Sequence, residues 1–142
     1  MKAIRTKLLK IKPEWALRVG LGCMYLYSGV GLLRAPSSWY GFAPVWVVDI
    51  WERIAPFDVF LRIQGAVELV IAALLLCWFL GRWGLRIGAV LATGEFAFIL
   101  IFAGVDLVTF RDIGLLGATL ALLVLSFSRG ENQRRAVDGG YS

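Results

Sequence analysis

Four apolar stretches, each near the length that crosses a bilayer, take up most of this 142-residue chain. No other feature narrows the choice of fold so far. In hydrocarbon every backbone amide and carbonyl must be satisfied internally, so runs of this kind resolve into helices. The composition agrees, with 59% hydrophobic residues, 18% charged residues and a mean hydropathy of +0.75. A soluble domain carries about 45–50% apolar and about 25% charged residues. These values exclude a disordered chain, a nucleic-acid-binding protein and a disulfide-stapled secreted module. The predicted class is all-α, an integral membrane four-helix bundle in which the lipid bilayer is the solvent.

The spans are placed at about 15–33, 57–80, 84–103 and 107–128. They form one unit over 15–128, between a basic N-terminal tail (1–14) and a polar, mobile C-terminal tail (129–142). In the tail, Ile4, Leu8 and Ile11 recur at helical spacing among lysines, which suits a segment lying on an anionic leaflet. Arg18 lies inside the first apolar run and Arg34-Ala35-Pro36 is a poor cleavage site, so that run reads as a retained span rather than a signal peptide. The run Ile113–Phe127 is short for a bilayer, and the fourth span is expected to begin earlier, near Asp106 to Phe110.

Loop charge sets the expected orientation. With both termini on one side, that side collects ten basic residues: Lys2, Arg5, Lys7, Lys10, Lys12, Arg82, Arg86, Arg129, Arg134 and Arg135. The other side has three, Arg34, Arg53 and Arg111. The positive-inside rule then places both termini in the cytoplasm and the protein in the cytoplasmic membrane. On the outer side, the connection from Arg34 to Pro56 carries Trp39, Trp46 and Trp51. Val45, Val48 and Trp51 repeat at helical spacing, which predicts a short amphipathic helix between Pro44 and Pro56. Its tryptophans are either interface anchors or a surface that docks a partner protein.

Polar groups within the spans are the candidate site residues. Glu68 and Glu95 each lie 11 residues into their span, about 16 Å deep from opposite sides. Exposure of such a group to lipid costs about 2.5–3.5 kcal/mol on insertion scales, so both should face the interior. Two carboxyls meeting there are expected to share a proton rather than hold two bare charges. Gln64, one turn from Glu68, can share its hydrogen bonds. Arg62, Arg111 and Asp112 are expected to form an outer cluster above the glutamates, with Asp112 also able to cap its helix. Arg18 either reaches back to the cytoplasmic surface or points inward. The stripe Gly84, Gly88, Ala92, Glu95 predicts a tight face on the third span, matched by Gly114, Gly117, Ala118 and Ala121 on the fourth. The competing reading of the glutamates is that they only hold helices together.

Histidine is absent and the two cysteines, Cys23 and Cys77, sit far apart within apolar runs. No metal-ligand motif results, and no covalently bound cofactor is expected. Arg62-Ile-Gln-Gly-Ala-Val and Arg86-Ile-Gly-Ala-Val are alike in spans of opposite direction, which reads as chance resemblance in apolar sequence ahead of an inverted repeat.

Four segments taken in order resemble the DoxX-like family of four-span membrane proteins. They are Leu17-Arg18-Val19-Gly20-Leu21-Gly22 with Tyr27-Ser28-Gly29, then Pro36-Ser37-Ser38-Trp39-Tyr40-Gly41-Phe42-Ala43-Pro44-Val45-Trp46. Phe60-Leu61-Arg62-Ile63-Gln64-Gly65-Ala66-Val67-Glu68-Leu69 and Arg111-Asp112-Ile113-Gly114-Leu115-Leu116-Gly117 complete the set. The family takes its name from a subunit associated with thiosulfate:quinone oxidoreductase, and other members are thought to partner soluble redox enzymes. The resemblance implies a redox-associated membrane subunit of a quinone-linked oxidoreductase, with a quinone in the bundle and a redox protein or a second copy of the chain as partner. A non-catalytic anchor or assembly subunit, and a small proton-coupled transporter, are the alternative expectations.

Overall fold

The computed structural model describes residues 12–106 and 109–138, with side chains as far as residue 128. Helix α1 spans Pro13–Arg34, and a 3₁₀ segment, Pro36–Phe42, leads to the short α2, Val45–Glu52. Helix α3 spans Phe57–Leu76, a 3₁₀ turn covers Trp78–Leu80, α4 spans Gly81–Phe102 and α5 spans Phe110–Asp138. No strand occurs among the described residues. Four of these segments are long and apolar enough to cross a membrane. The predicted amphipathic segment around Ile4, Leu8 and Ile11 lies outside the described residues.

Prolines set several of these boundaries. Pro13 begins α1, where its missing N–H costs nothing. Pro44 and Pro56 precede α2 and α3, and α2 forms in the interval predicted for it. The second span is shorter than the sequence suggested. Its helix stops at Leu76 because Cys77 is extended, and Gly81, at φ 61°, turns the chain into α4. At the fourth span, the Thr109 amide donates to Asp106 Oδ1 and the Asp106 amide to Thr109 Oγ1. This reciprocal pair closes the turn that leads into α5 at Phe110. The helix does not end with the apolar run at Ser128 but continues to Asp138, where the sequence suggested a mobile tail. Glu131, Gln133, Arg134, Arg135 and Ala136 are good helix formers, and no proline intervenes.

The four long helices form a ring. α1 packs most extensively on α3 and α4 on α5, with α3–α4 and α1–α5 closing the circle. The core joins Leu21, Tyr25, Ile71, Leu75, Ala92 and Leu122. A second cluster, Leu32, Phe57 and Leu61, lies at the end that carries α2, called here the loop side, with Trp39, Val48, Trp51 and Phe60 against it. Tyr27, Ile63, Val70, Phe98, Ile101 and Val124 are exposed around the outside, as lipid-facing residues require.

α1 and α3 cross at Gly29 and Gly65. A Cβ built on either one would stand 2.9 Å from the other's carbonyl oxygen, so only glycine permits this approach. Gly88 meets Leu74 and Leu75 just as tightly, so the predicted small face on the third span is used. Its expected match is used only in part: Ala118 packs against the core, whereas Gly114 and Gly117 face open space.

Candidate functional site

The α1–α3 crossing decides which polar groups meet. Ser28 precedes Gly29, and its hydroxyl donates to Glu68 Oε2 across the contact. Glu68 is buried, at 8% exposure. From α3, Gln64 donates through Nε2 to Glu95 Oε1 on α4 and also lies in hydrogen-bonding range of Glu68. Gln64 is seven residues from the loop-side start of α3, and Glu95 is seven from the loop-side end of α4. Both therefore sit about 10 Å below the loop-side helix ends. Tyr25, 1% exposed, crosses the ring from α1, donates weakly to the Ala92 carbonyl at 3.5 Å and faces Glu95. Its ring packs on Phe96 at 5.9 Å.

The predicted convergence of Glu68, Gln64 and Glu95 is thus present, with Gln64 as the bridge. One atom is left over. Glu95 Oε2 is buried and makes no hydrogen bond, although the Tyr25 hydroxyl lies in hydrogen-bonding range of the same carboxyl. An uncompensated buried oxygen of this kind costs about 1–3 kcal/mol, more if charged, and marks a place where a polar group fits.

The arginines go elsewhere. Arg18 is buried rather than reaching back to the surface, and its Nε donates to the Leu75 carbonyl at 2.8 Å. Glu14 lies 3.7 Å from it and the Trp15 ring 4.3 Å. Arg62 donates through Nη1 to the Leu33 carbonyl at 2.9 Å, and Arg111 lies over the Phe42 ring at 5.9 Å. Of the expected outer cluster of Arg62, Arg111 and Asp112, the Arg111–Asp112 pair remains, with the guanidinium acting on the neighbouring carboxyl, whereas Arg62 is held by a helix-end carbonyl. Asp112 is half-buried, and its amide donates to the Thr109 carbonyl.

Trp39 and Trp51 turn inward onto the loop-side cluster, whereas Trp46 stays 46% exposed. Cys23 and Cys77 are free thiols. Among the described residues, no group of three or more His, Cys, Asp or Glu side chains could hold a metal ion.

Sequence reasoning missed Tyr25 and Ser28. The only signal for Ser28 was its place beside Gly29, where a second helix comes close enough for a short side chain to reach it. Comparison with family models, curated proteins and solved structures finds no match to this chain.

Proposed function

We propose that the chain is a redox-associated subunit of the cytoplasmic membrane, with both termini in the cytoplasm, whose bundle holds a quinone at the Gln64–Glu68–Glu95 cluster. The observation that carries this reading is the buried, unpartnered Oε2 of Glu95 beside a second carboxyl. The excess of basic residues on the terminal side supports the orientation. The resemblance to DoxX-like proteins supports the redox association.

A bound quinone supplies reversible uptake of electrons and protons. A protonated Glu95 Oε2 would donate to a quinone oxygen, while Gln64 holds the other oxygen of the same carboxyl. Glu68, held by Ser28, is the second proton holder, one turn from Gln64. Tyr25 closes the inner side and keeps water out.

Binding of a decyl-tailed benzoquinone to the purified chain in lipid nanodiscs tests the proposal. Glu95→Leu, which removes that donor, should weaken binding about tenfold, the worth of one buried hydrogen bond, and Glu68→Leu, which removes the second carboxyl of the cluster, should weaken it less. Unchanged binding in both variants would defeat it. The exposure of Val45, Trp46 and Ile50 on α2 favours a second reading, an anchor for a partner protein. In that case Trp46→Ala should abolish co-purification of the partner from native membranes, and Glu68→Gln should preserve it.

A further inference from the structure

Two buried polar atoms without partners lie along one side of α3. Glu95 Oε2 is the first, and the indole nitrogen of Trp51 is the second. Trp51 packs on Phe60 with ring centroids 4.9 Å apart and the rings tilted by 50°. Phe60 is four residues before Gln64 on α3, so it sits one turn, about 6 Å, toward the loop side on the same face. Gln64 in turn holds Glu95. The order along this face is therefore a buried N–H donor, an aromatic ring, then a carboxyl with one free oxygen. On α4, Phe98 and Phe102 follow Glu95 at helical spacing toward the same end, their centroids 4.3 Å apart. Thr93 Oγ1, a third such atom, is two positions from Glu95 and so on the opposite side of α4.

This column borders the α3–α4 seam, a less extensive contact than α1–α3 or α4–α5. Gln64 and Glu95 are half-buried there, whereas Glu68 behind them is buried. Val67 on α3 and Leu91 on α4 are exposed on the outer side of the two helices, at 43% and 42%. The chemistry of an occupant follows. An indole N–H only donates, so it requires an acceptor oxygen. The carboxyl requires a polar atom at the other end, and the rings between favour a flat apolar body. A phospholipid headgroup would need a cation, and none of Trp51, Phe60, Gln64, Glu95, Phe98 and Phe102 along this column is cationic.

We infer that the α3–α4 seam is a slot, opening sideways to the bilayer, that takes a flat lipophilic ring bearing oxygen at two opposite edges, one bound by Trp51 and the other by Glu95. This rests on the quinone reading above and adds to it the second contact and the route of access. The full chain in nanodiscs is titrated with a decyl-tailed benzoquinone and with decylphenol, which has a single ring oxygen. Wild type should prefer the quinone by about tenfold. Trp51→Phe keeps the ring against Phe60, removes the N–H and should erase that preference while leaving decylphenol binding unchanged. Val67→Trp, at the lipid edge, should slow quinone association several-fold. If Trp51→Phe retains the preference while Glu95→Leu weakens binding, the slot is overturned and the quinone site stands. If wild type binds neither probe, the site itself falls and the slot with it.

Discussion

Arg18 and Arg62 each close the open end of the other's helix. Arg18, on α1, donates to Leu75 in the last turn of α3, and Arg62, on α3, donates to Leu33 in the last turn of α1. The last carbonyls of a helix have no partner within it, and they form the negative pole of its dipole. An antiparallel pair can exchange one cation each way, and here it does.

Removing these caps should have unequal effects. Arg18 is buried, so Arg18→Met should lower stability by about 1.5–3 kcal/mol, the worth of a hydrogen bond to a charged group. Arg62 is exposed, and Arg62→Met should cost less than about 1 kcal/mol. Thermal unfolding of both variants in one detergent checks the order. Equal losses would mean that burial does not set the strength of the cap.

The α1–α3 crossing should tolerate no side chain. Gly65→Val places atoms against the Gly29 carbonyl and should destabilise by about 3 kcal/mol or more, because backbone cannot move aside as a side chain can. Gly117→Ala adds a methyl in open space and should be neutral or stabilise by up to about 1 kcal/mol through helix propensity. The fraction of each variant that stays monodisperse on heating separates the two cases.

Tyr40 couples the loop to α3 by donating to Asp58 Oδ1 at 2.7 Å. That hydrogen bond, with the charge of Asp58 nearby, holds the phenol's ionisation above its ordinary 10.0. A folded-state value raised in this way stabilises fully below the ordinary range, and the benefit is lost as pH rises through the raised value. Ultraviolet difference titration of wild type against Tyr40→Phe should show one phenol ionising above pH 10. A difference curve centred at or below that value would mean the bond does not form.

Gly81 should resist replacement. Its φ of 61° with ψ of −151° lies where only glycine is unstrained. Gly81→Ala should cost about 1–3 kcal/mol while α3 and α4 keep their helix content. Circular dichroism beside a thermal melt reads both quantities.

The helices and their prolines were legible because apolar run length and Pro13, Pro44 and Pro56 act locally. The nearness of Glu68 and Glu95 was legible from depth at 1.5 Å per residue, but the count put the two carboxyls level, whereas the residue level with Glu95 is Gln64, one turn nearer the loop side than Glu68. The partners of Arg18 and Arg62 were not. Both bind backbone carbonyls, which leave no mark on side-chain pattern, so the sequence suggested carboxylate neighbours instead. Tyr25 was hidden for a different reason, since a tyrosine in an apolar run looks like any other large core residue until a helix across the ring shows what its hydroxyl faces. The end of α5 was misjudged because polar composition was taken for irregular structure, although those residues favour helix.

The unbroken α5 has a mechanical consequence. Its 29 residues run ten past the apolar stretch that ends at Ser128, so a stiff rod of about 15 Å stands clear of that stretch. A helix that stays intact carries the motion of its buried part to its tip. A tilt or twist of α5 inside the ring would swing the tip through an arc, like a lever worked from its pivot.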